Sequence, residues 1–201
     1  SMKDRNLLAS RMFHAWYYPF YHYGVIHGDP HLGNYTIRDD LSINLLDFGC
    51  VRIFSPQFVE GVLILYEAIR DNDVKKSENA YELWGFKNLT KDLINVLNLW
   101  AGILYEPLIE DRIRPIQKDY RGHTGRERAY LIHEELRKLG GVRPPKEFVF
   151  MDRAAVGIGS AFMHLKAELN WHRLFQELVE GFSTQSLEEK QSLLLKPKSQ
   201  P

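Results

Sequence analysis

The chain has 201 residues, enough for one core or at most two small domains. Its 26 Lys and Arg balance 26 Asp and Glu, so no global charge draws it to nucleic acid or to an anionic membrane. One cysteine, Cys50, excludes an internal disulfide and a cysteine-built structural zinc site.

Ser1-Met2 reads as a cloning remnant outside the fold. Residues 4–23 follow as a helix, because Leu7, Leu8, Met12, Phe13, Trp16, Tyr17 and Phe20 recur near helical spacing. Pro19 is expected to distort its last turn and Gly24 to end it. Residues 25–34, VIHGDPHLGN, read as a polar loop after two apolar residues. Two short strands, 35–38 and 42–46, should pair as an antiparallel hairpin across the Asp39-Asp40 turn. The second strand runs into Asp47-Phe48-Gly49.

Helix dominates from there. Ser55-Pro56 starts one to about Arg70, with a serine cap and proline at the first helical position. Others are expected at 73–84, at 90–105 before Pro107, and at 125–139 before Gly140-Gly141. Residues 145–182 hold one long or two shorter helices, and the tail 183–201 frays. The apolar runs are broken by charge well before the ~18 residues that a membrane span needs. The fold class is therefore mainly α with a small β-hairpin. Trp16, Trp84, Trp100 and Trp171 read as core, and Cys50 as a small apolar filler. Arg112–Arg128 is rich in Arg and Lys. It reads as a solvated face, with contact to lipid headgroups or an acidic partner as the alternative.

Asp29, Asn34 and Asp47 carry the chemistry. An Asp, an Asn five residues on and an Asp-Phe-Gly beyond a hairpin reproduce the order of a kinase catalytic loop and its metal-binding segment. Phosphoryl transfer asks for positioning and charge neutralisation more than covalent chemistry. Magnesium prefers hard oxygen donors, and Asp47 and Asn34 offer a carboxylate and a carbonyl oxygen. Asp29 would stand beside the attacking hydroxyl or water as proton acceptor. Each has a plainer alternative: a loop cap at Asp29, a turn residue at Asn34, a strand-end acid at Asp47. His27 reads as a residue that orients the loop by hydrogen bonds. His31 is divided between loop structure and substrate contact. Gly49 is a further candidate at the nucleotide, and Asp152 and Arg153 read as structural polar contacts.

The run His27-Gly-Asp-Pro-His-Leu-Gly-Asn34, followed by Leu46-Asp-Phe-Gly49, resembles the UbiB/AarF family of atypical kinases, whose usual loop reads HGDPHPGN. Leu32 replaces the family's second proline, between the functional positions. Phe148–Ala155 resembles a late helix of the same family. The resemblance implies a kinase-like C-terminal lobe over 3–182: catalytic loop 25–34, hairpin 35–46, Asp-Phe-Gly at 47–49 and helical body 55–182. It implies ATP and Mg2+ as cofactors, and a role in ubiquinone or related isoprenoid-lipid metabolism among the proteins of that pathway. It implies a cytoplasmic or peripheral membrane location. Aminoglycoside- and choline-type kinases use a similar loop, and a non-catalytic binding module is a third reading. About two dozen residues precede the loop, with no Gly-rich phosphate loop and no strand lysine. The expectation is therefore a lobe that lacks its N-terminal partner, folds alone, is inactive alone, and exposes an apolar face open to pairing with another chain.

Overall fold

The computed structural model describes residues 1–117 and 123–194, the second segment with side chains from Glu127 onward. Helix α1 (Met2–Tyr23) passes through the centre of the molecule. Its buried stripe of Leu8, Met12, Trp16 and Phe20 repeats every fourth residue, which is what a buried helix face requires. Ser1, set aside as a remnant, caps this helix: its hydroxyl accepts from Asp4 N–H while the Asp4 side chain returns to the Ser1 backbone. The helix continues through Pro19 and ends at Gly24, whose φ of 67° is left-handed.

Three two-stranded antiparallel sheets follow, and no larger or parallel sheet exists among the described residues. The hairpin of β2 (Tyr35–Ile37) and β3 (Ile43–Leu45) pairs Tyr35 with Leu45 and Ile37 with Ile43. Hydrogen bonds from Arg38 N–H to Ser42 O (3.0 Å) and from Leu46 N–H to Asn34 O (2.9 Å) extend it to both expected ends. The segment assigned to loop contains β1 (Val25–His27), which pairs with β4 (Val51–Ile53). Strands of three residues show no alternation long enough to announce them.

The body is built from α2 (Pro56–Asp71), α3 (Val74–Leu83), α4 (Lys91–Ile109), α5 (His123–Lys138), α6 (Lys146–Leu165), α7 (Trp171–Val179) and α8 (Thr184–Leu194). Ser55, Asp73, Thr90 and Asn170 cap four of them with side-chain acceptors. Helix α4 outruns its expected end by including Pro107. A proline removes one backbone bond and crowds the preceding turn, yet here it is buried and the helix stops two residues later. Residues 145–182 form two helices, divided at Lys166, whose φ of 50° is left-handed.

The expected fraying of the tail from 183 is corrected through 194. Leu187 is buried, and the Gln191 amide donates to Tyr23 O (2.9 Å) and Phe54 O (2.8 Å), pinning α8 across the end of α1 and the start of α2. Residues 195–201 lie outside the described residues.

In the basic stretch, Arg114 is not solvated. It lies on β5 (Arg114–Pro115), paired with β6 (Glu168–Leu169), and its guanidinium meets Glu106 and Glu110 at 2.9 Å each. Arg112 shares Glu110 and remains exposed. Lys118, Asp119, Arg121 and the Arg126 side chain fall outside the described residues. Trp16, Trp84 and Trp171 are core residues, whereas Trp100 is only partly buried.

Candidate active site

The β1–β4 pair builds the candidate site by making the loop that carries Asp29 and Asn34 start beside the Asp-Phe-Gly segment. His27 faces Val51 in the ladder, and Gly28 N–H donates to Cys50 O at 2.9 Å. A Cβ on Gly28 would stand 2.9 Å from that same carbonyl, so this position needs glycine for close backbone approach. Cys50, read as a filler, contributes through its backbone carbonyl.

His27 joins the two segments. It is buried, its Nδ1 accepts from Asp29 N–H at 3.3 Å, and its Nε2 lies against the backbone carbonyl of Asp47. These partners fix the tautomer: the proton is on Nε2, which donates, and Nδ1 is the bare acceptor. Trp16 anchors the residue from below, its indole N–H donating to His27 O at 3.1 Å. These hydrogen bonds place His27 between the two segments. The contribution of Trp16 was hidden within a helix stripe that reads as core.

Asn34 and Asp29 are in direct contact. The Asn34 amide donates to the Asp29 backbone carbonyl (3.0 Å) and to its carboxylate Oδ2 (2.9 Å). The five-residue spacing therefore closes a ring, supported by a 3-10 turn over Leu32–Asn34 that His31 caps by accepting from Gly33 N–H at 3.1 Å. That contact is local to the turn, and the His31 ring remains exposed. Asp47 is exposed, and its Oδ1 accepts from Gly49 N–H at 2.7 Å. Gly49 thus acts on the conformation of Asp47.

A later helix supports the loop. Gly157 of α6 lies so close to Pro30 that a Cβ there would come within 2.5 Å of the proline ring. On the same helix, the Phe150 ring lies 4.6 Å from the Arg52 guanidinium of β4. Helix α6 therefore braces β4 through Phe150 and the loop at Pro30 through Gly157. Asp152 accepts from the Trp100 indole at 2.7 Å, a structural polar contact of the kind expected, and burial raises its pKa from the ordinary aspartate value. Arg153 is exposed.

The donor set suits magnesium better than a closed metal cage. No group of three or more His, Cys, Asp or Glu that could hold a metal occurs among the described residues. One carboxylate, Asp47, and one amide oxygen, on Asn34, match an ion that keeps several waters and takes its remaining ligands from phosphate. The hydrogen bonds of the Asn34 amide nitrogen leave its carbonyl oxygen as the available donor.

A loop with Asp and Asn in contact, an antiparallel hairpin and an Asp-Phe-Gly segment, all set on a helical body, define a kinase-like lobe. The family model of the ABC1 atypical kinase-like domain matches residues 1–81, from α1 through most of α3. No curated protein matches the chain.

Proposed function

We propose that this chain is the catalytic half of an ATP- and Mg2+-dependent phosphotransferase of the UbiB/AarF kind, acting in isoprenoid-lipid metabolism. The hydrogen bond between Asn34 and Asp29 carries the reading, because it couples a would-be metal ligand to a would-be base. Asp29 accepts the proton of the attacking hydroxyl or water, its carboxylate held in place by the Asn34 amide. Asp47 and the Asn34 carbonyl oxygen hold the ion, which when bound neutralises phosphate charge. His27 keeps the two segments in register.

The site is open on its outer side. Leu32, Leu46 and Phe48 surround it at 61%, 58% and 62% exposure. An apolar rim of this kind favours a covering lobe, which would bring the phosphate loop and the lysine. None of the six described strands carries a lysine. The chain alone should therefore bind ATP with magnesium weakly and turn nothing over, as measured by titration calorimetry and a turnover assay. Steady turnover by the chain alone, abolished by Asp47→Asn, would show that no second lobe is needed. In a form carrying such a lobe, Asp47→Asn should weaken magnesium-dependent nucleotide binding. Unchanged magnesium dependence there would reject the metal assignment.

A further inference from the structure

The helical body contains a cavity of about 700 Å3 to which no residue between 25 and 49 contributes, so it is separate from the site above. Its walls are largely aromatic and aliphatic, among them Phe13, Trp84, Trp100, Phe148, Phe162 and Phe175. Protein interiors are packed to crystal density, with few voids larger than a water. This space would hold on the order of twenty waters at bulk density, and such walls would leave most of them short of hydrogen bonds. The volume falls instead within the range of pockets for small molecules.

The polar groups on the wall specify the occupant. Tyr105 and Tyr81 also line the cavity, but their hydroxyls donate to Val62 O and Asn98 Oδ1, at 3.0 Å each. Tyr17 and Tyr21, one turn apart on α1, line it too, and their hydroxyls bond to no described residue. Tyr21 is only 6% exposed as a residue, yet its hydroxyl is not among the described polar atoms buried without a partner, so it keeps accessible surface where a ligand can meet it. Burial raises the pKa of both, so they stay neutral donors. The basic residues in the described lining, His164 and Lys166, are exposed and belong to the rim. The acid within, Asp152, is turned to Trp100. An anionic ligand would meet a carboxylate there and no buried cation among the described residues.

We propose that this cavity binds a neutral amphiphile, an extended apolar body with one hydroxyl or carbonyl oxygen that accepts hydrogen bonds from Tyr17 and Tyr21. The assignment does not depend on phosphoryl transfer at Asp29. The test is displacement of the neutral fluorophore N-phenyl-1-naphthylamine from the purified chain by 1-dodecanol, dodecanoate and dodecylammonium. One fluorophore per chain is expected, displaced by 1-dodecanol at a concentration at least about tenfold below that of either charged analogue. Replacing both tyrosines by phenylalanine should weaken 1-dodecanol by about tenfold and leave the fold intact. Gly159 lines the cavity, and a Cβ there meets nothing within 4 Å, so Gly159→Leu should fill the space and abolish fluorophore binding in a folded protein. Asp47→Asn should bind fluorophore and alcohol as the parent does, which separates this proposal from the fate of the phosphotransfer reading. Absence of saturable binding, a preference for dodecanoate, equal alcohol affinity in the double phenylalanine variant, or full binding by folded Gly159→Leu would each overturn it.

Discussion

The end of the molecule that carries Asp29 and the helical body behind it are held together differently. The site end consists of three-residue strands and short turns, with Asp47, Phe48 and Gly49 all exposed. Its order comes from directed bonds: His27 between two loops, Asn34 on Asp29, Gly28 on Cys50. The body is held by packed aromatic rings, such as Phe54, Phe58 and Trp84 in series, and it tolerates a large cavity. Hydrogen bonds fix angles and distances tightly but contribute little net energy each, whereas burial contributes energy with little directional demand. The site therefore has precision supplied locally and stability supplied from behind, through Trp16, Pro30 against Gly157, and Arg52 against Phe150.

The largest break in this comparison is chemical. In a form of the protein that also carries a phosphate-binding lobe, Asp29→Asn should lower turnover by roughly 10²–10⁴-fold. Asparagine keeps an acceptor for the Asn34 amide, so the loop should hold its shape and nucleotide affinity should change little. Turnover near that of the parent would remove Asp29 as the base.

The next effect is on stability at the site end. His27→Phe keeps a planar aromatic ring, a little larger, but strands the Asp29 N–H and the Asp47 carbonyl without their partner. At ~1–3 kcal/mol for each group left unsatisfied, urea denaturation should show a loss of about 2–6 kcal/mol. A loss under 0.5 kcal/mol would mean that water replaces both bonds and that His27 is not the connector.

These two regions also differ in how much of them the sequence displays. The Asp29–Asn34–Asp47 order, the hairpin and the capped starts of α2 and α4 are written in contiguous residues, and each was legible. The β1–β4 pair was not, because it joins 25–27 to 51–53 through partners that only the folded chain brings together. Helix α8 was missed because its sequence is polar and its docking rests on Leu187 and Gln191. Tyr17 and Tyr21 sit among helix residues that do pack, so periodicity alone cannot separate a wall of a cavity from a wall of the core.

A smaller effect compares two glycines on one helix. Gly157 faces Pro30 and Gly159 faces open space. Alanine at either position gains up to ~1 kcal/mol of helix propensity. At 157 that gain is opposed by overpacking worth ~1–3 kcal/mol. Gly159→Ala should therefore raise the denaturation midpoint and Gly157→Ala should leave it unchanged or lower. Equal shifts would show that α6 does not brace the loop at Pro30.

The smallest effect concerns Asp152, because two influences oppose there: burial raises its pKa and the Trp100 hydrogen bond lowers it, with burial the larger. A carboxyl whose folded-state pKa lies above its ordinary value of 3.8 binds its proton more tightly in the native state. Below that ordinary value it is protonated in both states and its burial costs least. As pH rises through the raised native value, the folded protein must hold a buried charge and loses stability. Asp152→Asn carries no charge and can still accept from the Trp100 indole. The variant should match the parent in acid and become the more stable of the two at neutral pH, in paired denaturation curves from pH 3.5 to 7.5. A stability difference that does not change across that range would mean that the carboxylate is fully solvated on the cavity side and bears no burial cost.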